Sequence, residues 1–264
     1  MIFDRWLDMP VWGIFVSLAA LLTIFLLFIH WLSFGKRCRT TASSFTGIVA
    51  PFFGSVAILF ALLTGFLASD VWERSRRAAD AIFAERDGLL ALNTMTIASA
   101  ADMRNVRQAI RDYIRILIED EWPRMANQES SPRAEEALLS ILSLVSDPKV
   151  GIEAGQAAQG AFLDTVLSLR KARSVRLSLS DDQTDRTKWT VVIFLALMTQ
   201  VAIAMVHLER PRAQVAALSI FSIAVVVALG LIATRERPFD GALGYSAEPL
   251  ADALATMVEP SPKP

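Results

Sequence analysis

Four stretches, Val11–Phe34, Gly47–Ser69, Trp189–Leu208 and Ala213–Thr234, carry no Asp, Glu, Lys or Arg in their middles. Each is long enough to cross a bilayer, which needs about 20 apolar residues in a helix. In a chain that is 53% apolar overall, a soluble domain would not gather its apolar residues into such blocks. The pattern therefore predicts an all-α integral membrane protein with four spans in two hairpins. The intervening segment is polar and helix-patterned. The predicted divisions are a first hairpin over residues 1–69, a helical bundle over 70–187, a second hairpin over 188–234 and a tail over 235–264. The start MIFDRWLDMP lacks the basic region of a signal peptide, so the first span is expected to stay in place.

The second span runs on without a Pro into VWERSRRAADAIFAERDGLLALNTM. That continuation has charged residues on one side and Ala, Ile, Phe and Leu on the other. One helical rod is expected from Gly47 to about Ala100, leaving the membrane at Trp72. In ADMRNVRQAIRDYIRILIEDEW, the residues Met103, Val106, Ile110, Tyr113, Ile114 and Leu117 form a stripe of helical period, and Pro123 is expected to stop it. Ser131–Pro132 reads as a cap and first turn for RAEEALLSILSLV. A last helix is expected from about Val150 to Leu179. In the tail, Ser246 can cap a short helix, and the Pro-rich end reads as disordered.

Tryptophan prefers the membrane boundary. With alternating spans, Trp12, Trp72 and Trp189 fall on the face of the central segment. The short loops GKRCRTTASSFT and ERPR fall on the other. Lys and Arg close to the spans favour a cytoplasmic central segment with both termini beside it. Counting the short loops alone gives the reverse.

Enzyme motifs are lacking. Gly151, Gly155 and Gly160 have no following Gly-Lys-Ser/Thr, and Ser168-Leu-Arg-Lys171 lacks its companion motifs. His30, His207 and Cys38 have no ligand cluster around them, so no metal or cofactor is expected. Asp181, Asp182 and Asp185 could meet a cation, though such a cluster more commonly favours a helix start. The central segment is slightly acidic, which argues against nucleic acid.

Three stripes stand out instead. Ala50, Gly54, Ala57, Ala61, Gly65 and Ala68 make a small-residue face on span two that lets helices approach closely in lipid. Phe52, Val56 and Phe60 make a bulky face. Turned toward an oligomer axis, it would form a constriction that gates by dewetting; turned elsewhere, it is ordinary packing. Arg104, Arg107, Arg111 and Arg115 share one helix face and would gather anions at a pore mouth. A solvated, ion-paired face is the plainer reading of the same four residues.

The segments GFLASDVWERSRRAADAIFAERDGLLAL, IRDYIRILIEDEWPRM and RPFDGALGYSAEPLADAL, in that order, resemble the bacterial bestrophin-like family. Where that family commonly shows Glu-Ala in the rod, this chain has Ala84-Glu85-Arg86-Asp87. The resemblance is distant to the true bestrophins, pentameric anion channels lined by their second span. It implies a homo-oligomeric, multi-pass protein of the bacterial inner membrane, in contact with lipid and small ions. It implies an ion channel lined by span two, and the analogy to the true bestrophins implies anions. The alternative is a non-conducting sensor or scaffold whose helical segment binds a partner or ligand. Calcium gating is not implied, because no run of acidic residues like the bestrophin calcium clasp is present.

The four-span topology puts Cys38 in a short loop opposite the central segment. An impermeant thiol reagent should label Cys38 from one side of the membrane only. A cysteine placed in the central segment of a Cys38→Ser background should label from the other. Labelling of both from the same side would overturn the arrangement.

Overall fold

The computed structural model describes residues 2–35, 50–181, 186–240 and 243–257. Cys38, Asp182, Asp185 and the end of the tail lie outside the described residues. For Ala50, Pro51 and Phe52 only the helical backbone is described. The fold is all-α. Among the described residues, four helices are long and apolar enough to cross a membrane.

Two compact units make up the chain. The first comprises Met1–Glu73, Gln183–Arg237 and Gly241–Leu243; the second comprises Arg74–Asp182, Pro238–Asp240 and Gly244–Pro264.

In the first unit, α1 (Ile2–Leu7) leads to α2 (Val11–Phe34). The first part of α3 (Ala50–Ala98) follows, then α9 (Arg186–Val206) and α10 (Pro211–Ala233). α2 buries Ile14, Leu18, Leu22, Leu26 and Ile29, a stripe of helical spacing. Its other side leaves Val16, Ile24, Leu27 and Phe28 exposed, as a helix apolar all round must in lipid. α10 comes close to α2 at Gly230, where an added Cβ would lie 2.5 Å from Phe15 Cε1.

Amides and hydroxyls join these helices. Gln200 Nε2 donates to Ser222 Oγ at 2.7 Å and to the Leu22 carbonyl at 3.3 Å. Gln214 Nε2 donates to the Ala204 carbonyl at 3.0 Å and to Ser33 Oγ at 3.3 Å. The Gln214 Oε1 is then the acceptor for His30 Nδ1, 3.0 Å away. Trp12, Trp31 and Trp72 are exposed, as residues of the membrane boundary would be, but Trp189 is fully buried. The difference comes from α1, whose Trp6 meets the Trp189 ring edge-on at 5.2 Å.

The second unit contains the rest of α3, then α4 (Arg104–Ile116) and a π-helical turn, Leu117–Glu121. Then come α5 (Trp122–Met125), α6 (Pro132–Val145), α7 (Pro148–Ala154), α8 (Gln156–Asp181) and α11 (Glu248–Thr256). Its core gathers Leu89, Leu92, Met103, Ile110, Ile114, Leu138, Ile141, Phe162, Val166, Leu169 and Leu250.

Local chemistry explains the breaks. Ser131 Oγ accepts from the Ala134 N–H at 3.1 Å, with Pro132 in the first turn. Pro123 does not stop α4 outright. The helix loosens into the π turn, and Pro123 lies in the first turn of α5, where an N–H is not needed. The helix expected from Val150 to Leu179 is two helices, divided at Gly155, whose φ of 91° favours glycine.

Gly88 on α3 faces Leu169 on α8, and an added Cβ would lie 2.7 Å from Leu169 Cδ2. Gly160 on α8 faces open space. Gly88→Leu should therefore lower stability by about 1–3 kcal/mol through overpacking. Gly160→Ala should raise it by up to about 1 kcal/mol through helix propensity. Thermal melting of the purified variants checks both, and an unshifted Gly88→Leu would refute the close approach.

Candidate functional site

The membrane part of α3 is the least covered of the four spans. Only 11% of its most apolar stretch is buried, against 33% for α2, 44% for α9 and 33% for α10. Ile58, Leu59, Leu62 and Phe66 are all at least half exposed. Of the small-residue face, Ala61 and Gly65 are exposed, while Gly54, Ala57 and Ala68 are intermediate. A Cβ added at Gly54 or Gly65 would meet nothing within 4 Å. Of the bulky face, Val56 and Phe60 are half-buried. The Phe60 ring meets Phe221 of α10 edge-on at 5.8 Å.

The four arginines of α4 are engaged locally. Arg104 pairs with Asp102 at 2.6 Å and Arg115 with Asp112 at 3.1 Å. Arg107 donates to the Thr96 carbonyl at 3.2 Å, and Arg111 to Gln108 Oε1 at 3.0 Å. The hydrogen bond from Arg104 holds the Asp102 carboxyl down to about 2.

A different cluster forms the polar centre of the second unit. Glu85 of α3, Glu121 at the end of the π turn, and Arg173 and Arg176 of α8 are all buried. Arg176 Nε donates to Glu85 Oε2 at 2.7 Å, and its Nη2 donates to Glu121 Oε1 at 2.7 Å. Arg173 Nη2 donates to Glu121 Oε2 at 2.6 Å and to the Ser131 carbonyl at 3.2 Å. Its Nη1 reaches the half-exposed Glu135. Tyr113 donates its O–H to Glu85 Oε1 at 2.8 Å. The Arg176 guanidinium also lies over the Trp122 ring, 5.3 Å from its centroid.

Helical spacing builds this centre. Arg173 and Arg176 are three apart and share a face of α8. Glu85 continues the buried stripe Ala78, Ala81, Ile82 along α3. Glu121 is carried inward by the π turn, where the Trp122 N–H reaches back to the Leu117 carbonyl. Burial alone would raise the Glu121 carboxyl, but the hydrogen bond from Arg173 and the charges of Arg176 and Arg173 outweigh it and hold it low. Burial likewise opposes the charge of Arg173, which Glu121 more than restores. Burial and the Glu85 charge push the Tyr113 phenol well above its ordinary value, so it stays a donor. With two carboxylates closed on two guanidiniums, the cluster is a clamp between α3, the π turn and α8. Among the described residues no three His, Cys, Asp or Glu side chains could together hold a metal ion.

An all-helical, multi-pass membrane protein with a charged clamp in its second unit is the class these features define. The sequence matches the bestrophin-like domain over residues 10–250, and the chain belongs to the bestrophin-like family. No curated protein matches it. The structure is similar to a bacterial bestrophin homologue from Klebsiella pneumoniae carrying a tryptophan-to-alanine substitution. That match has 15% identity and a TM-score of 0.65, over 91% of this chain and 95% of the other. A leucine-to-threonine variant matches at 13% identity and a TM-score of 0.63, over 94% and 96%. A crystal structure of a membrane protein with a proline-to-alanine substitution matches at 12% and 0.66, over 92% and 95%. At these identities the likeness is one of fold.

Removing one member of the clamp leaves a buried charge, at a cost of about 3–5 kcal/mol. Glu85→Gln and Arg176→Met should each destabilise by that order. The double variant should lose less than their sum, because no lone charge remains. Glu121 adds a pH dependence. Its folded carboxyl lies below the ordinary 4.5, so its stabilisation is complete above that pH and is lost as pH falls through the folded value. Melting of Glu121→Gln should be lower than wild type at neutral pH and flatter below pH 4.5. Additive losses in the first cycle would dismiss the clamp.

Proposed function

We propose that this chain is one subunit of a homo-oligomeric anion channel of the bacterial inner membrane, lined by its second span. The observation that carries the proposal is the coverage of α3. Three spans cover one another, whereas α3 is left with 11% of its apolar stretch buried and two glycines facing open space. Such a face suits close approach of a neighbouring helix in lipid. Membership of the bestrophin-like family supports the same reading, since the true bestrophins are anion channels.

In this arrangement the two hairpins cross the bilayer and the helical bundle is inserted between them. The central segment and both termini face the cytoplasm, and the subunit number is five by analogy. Ala50, Gly54, Ala57, Ala61, Gly65 and Ala68 pack span two against its neighbours. Phe52, Val56 and Phe60 form the constriction. Arg104, Arg107, Arg111 and Arg115 raise the anion concentration at the mouth, each already steadied by a local partner.

Chloride flux from liposomes holding purified protein tests the proposal. Wild type should conduct. Phe60→Ala should raise flux or abolish gating, because a smaller side chain lets water into the constriction. Phe221→Ala removes the same ring contact without altering α3, and should leave flux near wild type. Equal effects from the two would mean that Phe60 acts through packing instead. Ala61→Leu should shrink the assembled fraction on size exclusion. If wild type and Phe60→Ala assemble and are both silent, the channel reading fails, and a sensor or scaffold takes its place.

A further inference from the structure

An apolar groove of about 380 Å³ runs between α3 and α9 in the first unit. Leu63, Phe66, Leu67, Val191 and Val192 wall it. Its mouth is polar: Lys188 Nζ pairs with Asp70 Oδ2 at 2.7 Å, with Thr187 beside them. We propose that this groove binds one aminophospholipid, a phosphatidylethanolamine, with an acyl chain in the groove and the headgroup at the ion pair.

Charge complementarity chooses the headgroup. Among the described residues that line the groove, the mouth presents one ammonium and one carboxylate, each nearly half exposed, with side-chain exposures of 46% and 44%. A phosphodiester accepts from the Lys188 ammonium, and a primary ammonium three bonds further along donates to the Asp70 carboxylate. The existing pair opens into a ring of alternating charges, with no ion left unmatched. Phosphatidylglycerol brings the phosphate but no cation. Phosphatidylcholine brings a cation with no N–H to donate. The apolar walls suit hydrocarbon, and the site volume is in the range of a small-ligand pocket.

Helix geometry separates the groove from the face proposed for assembly. At about 100° per residue, Leu63, Phe66, Leu67 and Asp70 centre on one side of α3. Ala57, Ala61, Gly65 and Ala68 centre on the roughly opposite side. A neighbour packed on the small residues would leave the groove open. A neighbour's apolar helix in the groove would cover the ion pair without matching it. Phe52, Val56 and Phe60 centre on the same side of α3 as the groove, in the turns that precede it, so a bound lipid would sit beside the proposed constriction. Counting bound lipid does not require conduction, and the two readings are tested apart.

Native mass spectrometry of delipidated protein, titrated with phosphatidylethanolamine, phosphatidylglycerol or phosphatidylcholine of the same acyl chains, tests it. Phosphatidylethanolamine should add one tightly held lipid per chain, with the other two binding about tenfold more weakly, the scale of one charge-assisted hydrogen bond. The Asp70→Asn, Lys188→Gln double variant should bring the three lipids level, while Val191→Trp should fill the groove and weaken all three. The exposed ion pair contributes little to folding, and unchanged melting of the double variant would show that binding alone was altered. Equal affinity of the three lipids for wild type would overturn the proposal. So would a disulfide between copies formed by Phe66→Cys and Val191→Cys in a Cys38→Ser background, which would make a second copy the occupant.

Discussion

Two guanidiniums closed between two carboxylates tie α3, the π turn and α8 of the second unit to one another beside its apolar core. Glu121 receives both arginines and the Ser131 N–H, and Glu85 receives Arg176 and the Tyr113 hydroxyl. Such a centre is expensive to desolvate, and an apolar replacement of the same volume would be no less stable. What it supplies is register. Leucines slide past one another at small cost, whereas a guanidinium a turn out of place meets no carboxylate. The clamp fixes α8 against α3 and against the π turn at single positions. The π turn itself becomes intelligible on this basis. It gives up regular hydrogen bonding over Leu117–Glu121 and in return brings a carboxylate inward between the two arginines.

Much of the architecture was legible because its signals are local and repetitive. The four spans announce themselves by length and lack of charge. The rod follows from the absence of a breaker, and α3 is indeed one helix of 49 residues. Ser131–Pro132 is a cap by chemistry alone. The division at Gly155 is not legible, because the apolar period runs on through it and a positive φ leaves little trace beyond the glycine itself. Trp189 reads as a boundary residue by its type alone. Its burial depends on Trp6, far away in sequence.

The clamp was less visible, although its sign was present. In the sequence Glu85 stands out only as part of Ala84-Glu85-Arg86-Asp87, and nothing about Glu121, Arg173 or Arg176 taken singly marks a site. Each occupies a position where the helical period calls for an apolar residue: Glu85 between Ile82 and Leu89, Glu121 between Leu117 and Met125, and Arg173 and Arg176 after Leu169. A charge on an apolar stripe reads as an interruption when one helix is considered at a time. Only when three helices meet do two acids and two bases turn out to answer one another. Period and charge sign can be read from one helix, but the pairing is a property of the tertiary fold.

Both units face the same problem, fixing the register of packed helices with polar contacts, and they solve it with different chemistry. In the first unit the buried groups that link α2, α9 and α10 are neutral, Gln200 with Ser222 and the Leu22 carbonyl, and Gln214 with His30, Ser33 and the Ala204 carbonyl, while the ion pair between Lys188 of α9 and Asp70 of α3 is nearly half exposed. In the second the buried linking groups are ionised. The bilayer accounts for the difference. An ion at the centre of a span must be brought there from water at a cost of roughly 2.5–3.5 kcal/mol or more, before any partner is found. An amide costs less and still supplies two donors and an acceptor. Away from lipid, the arginine–carboxylate pair gives a stronger and more directional bond for a similar loss of freedom. The choice of amide or ion thus follows the hydropathy of the helices that carry it: amides within the apolar helices α2, α9 and α10, ions where charged residues recur along α8 and the later part of α3.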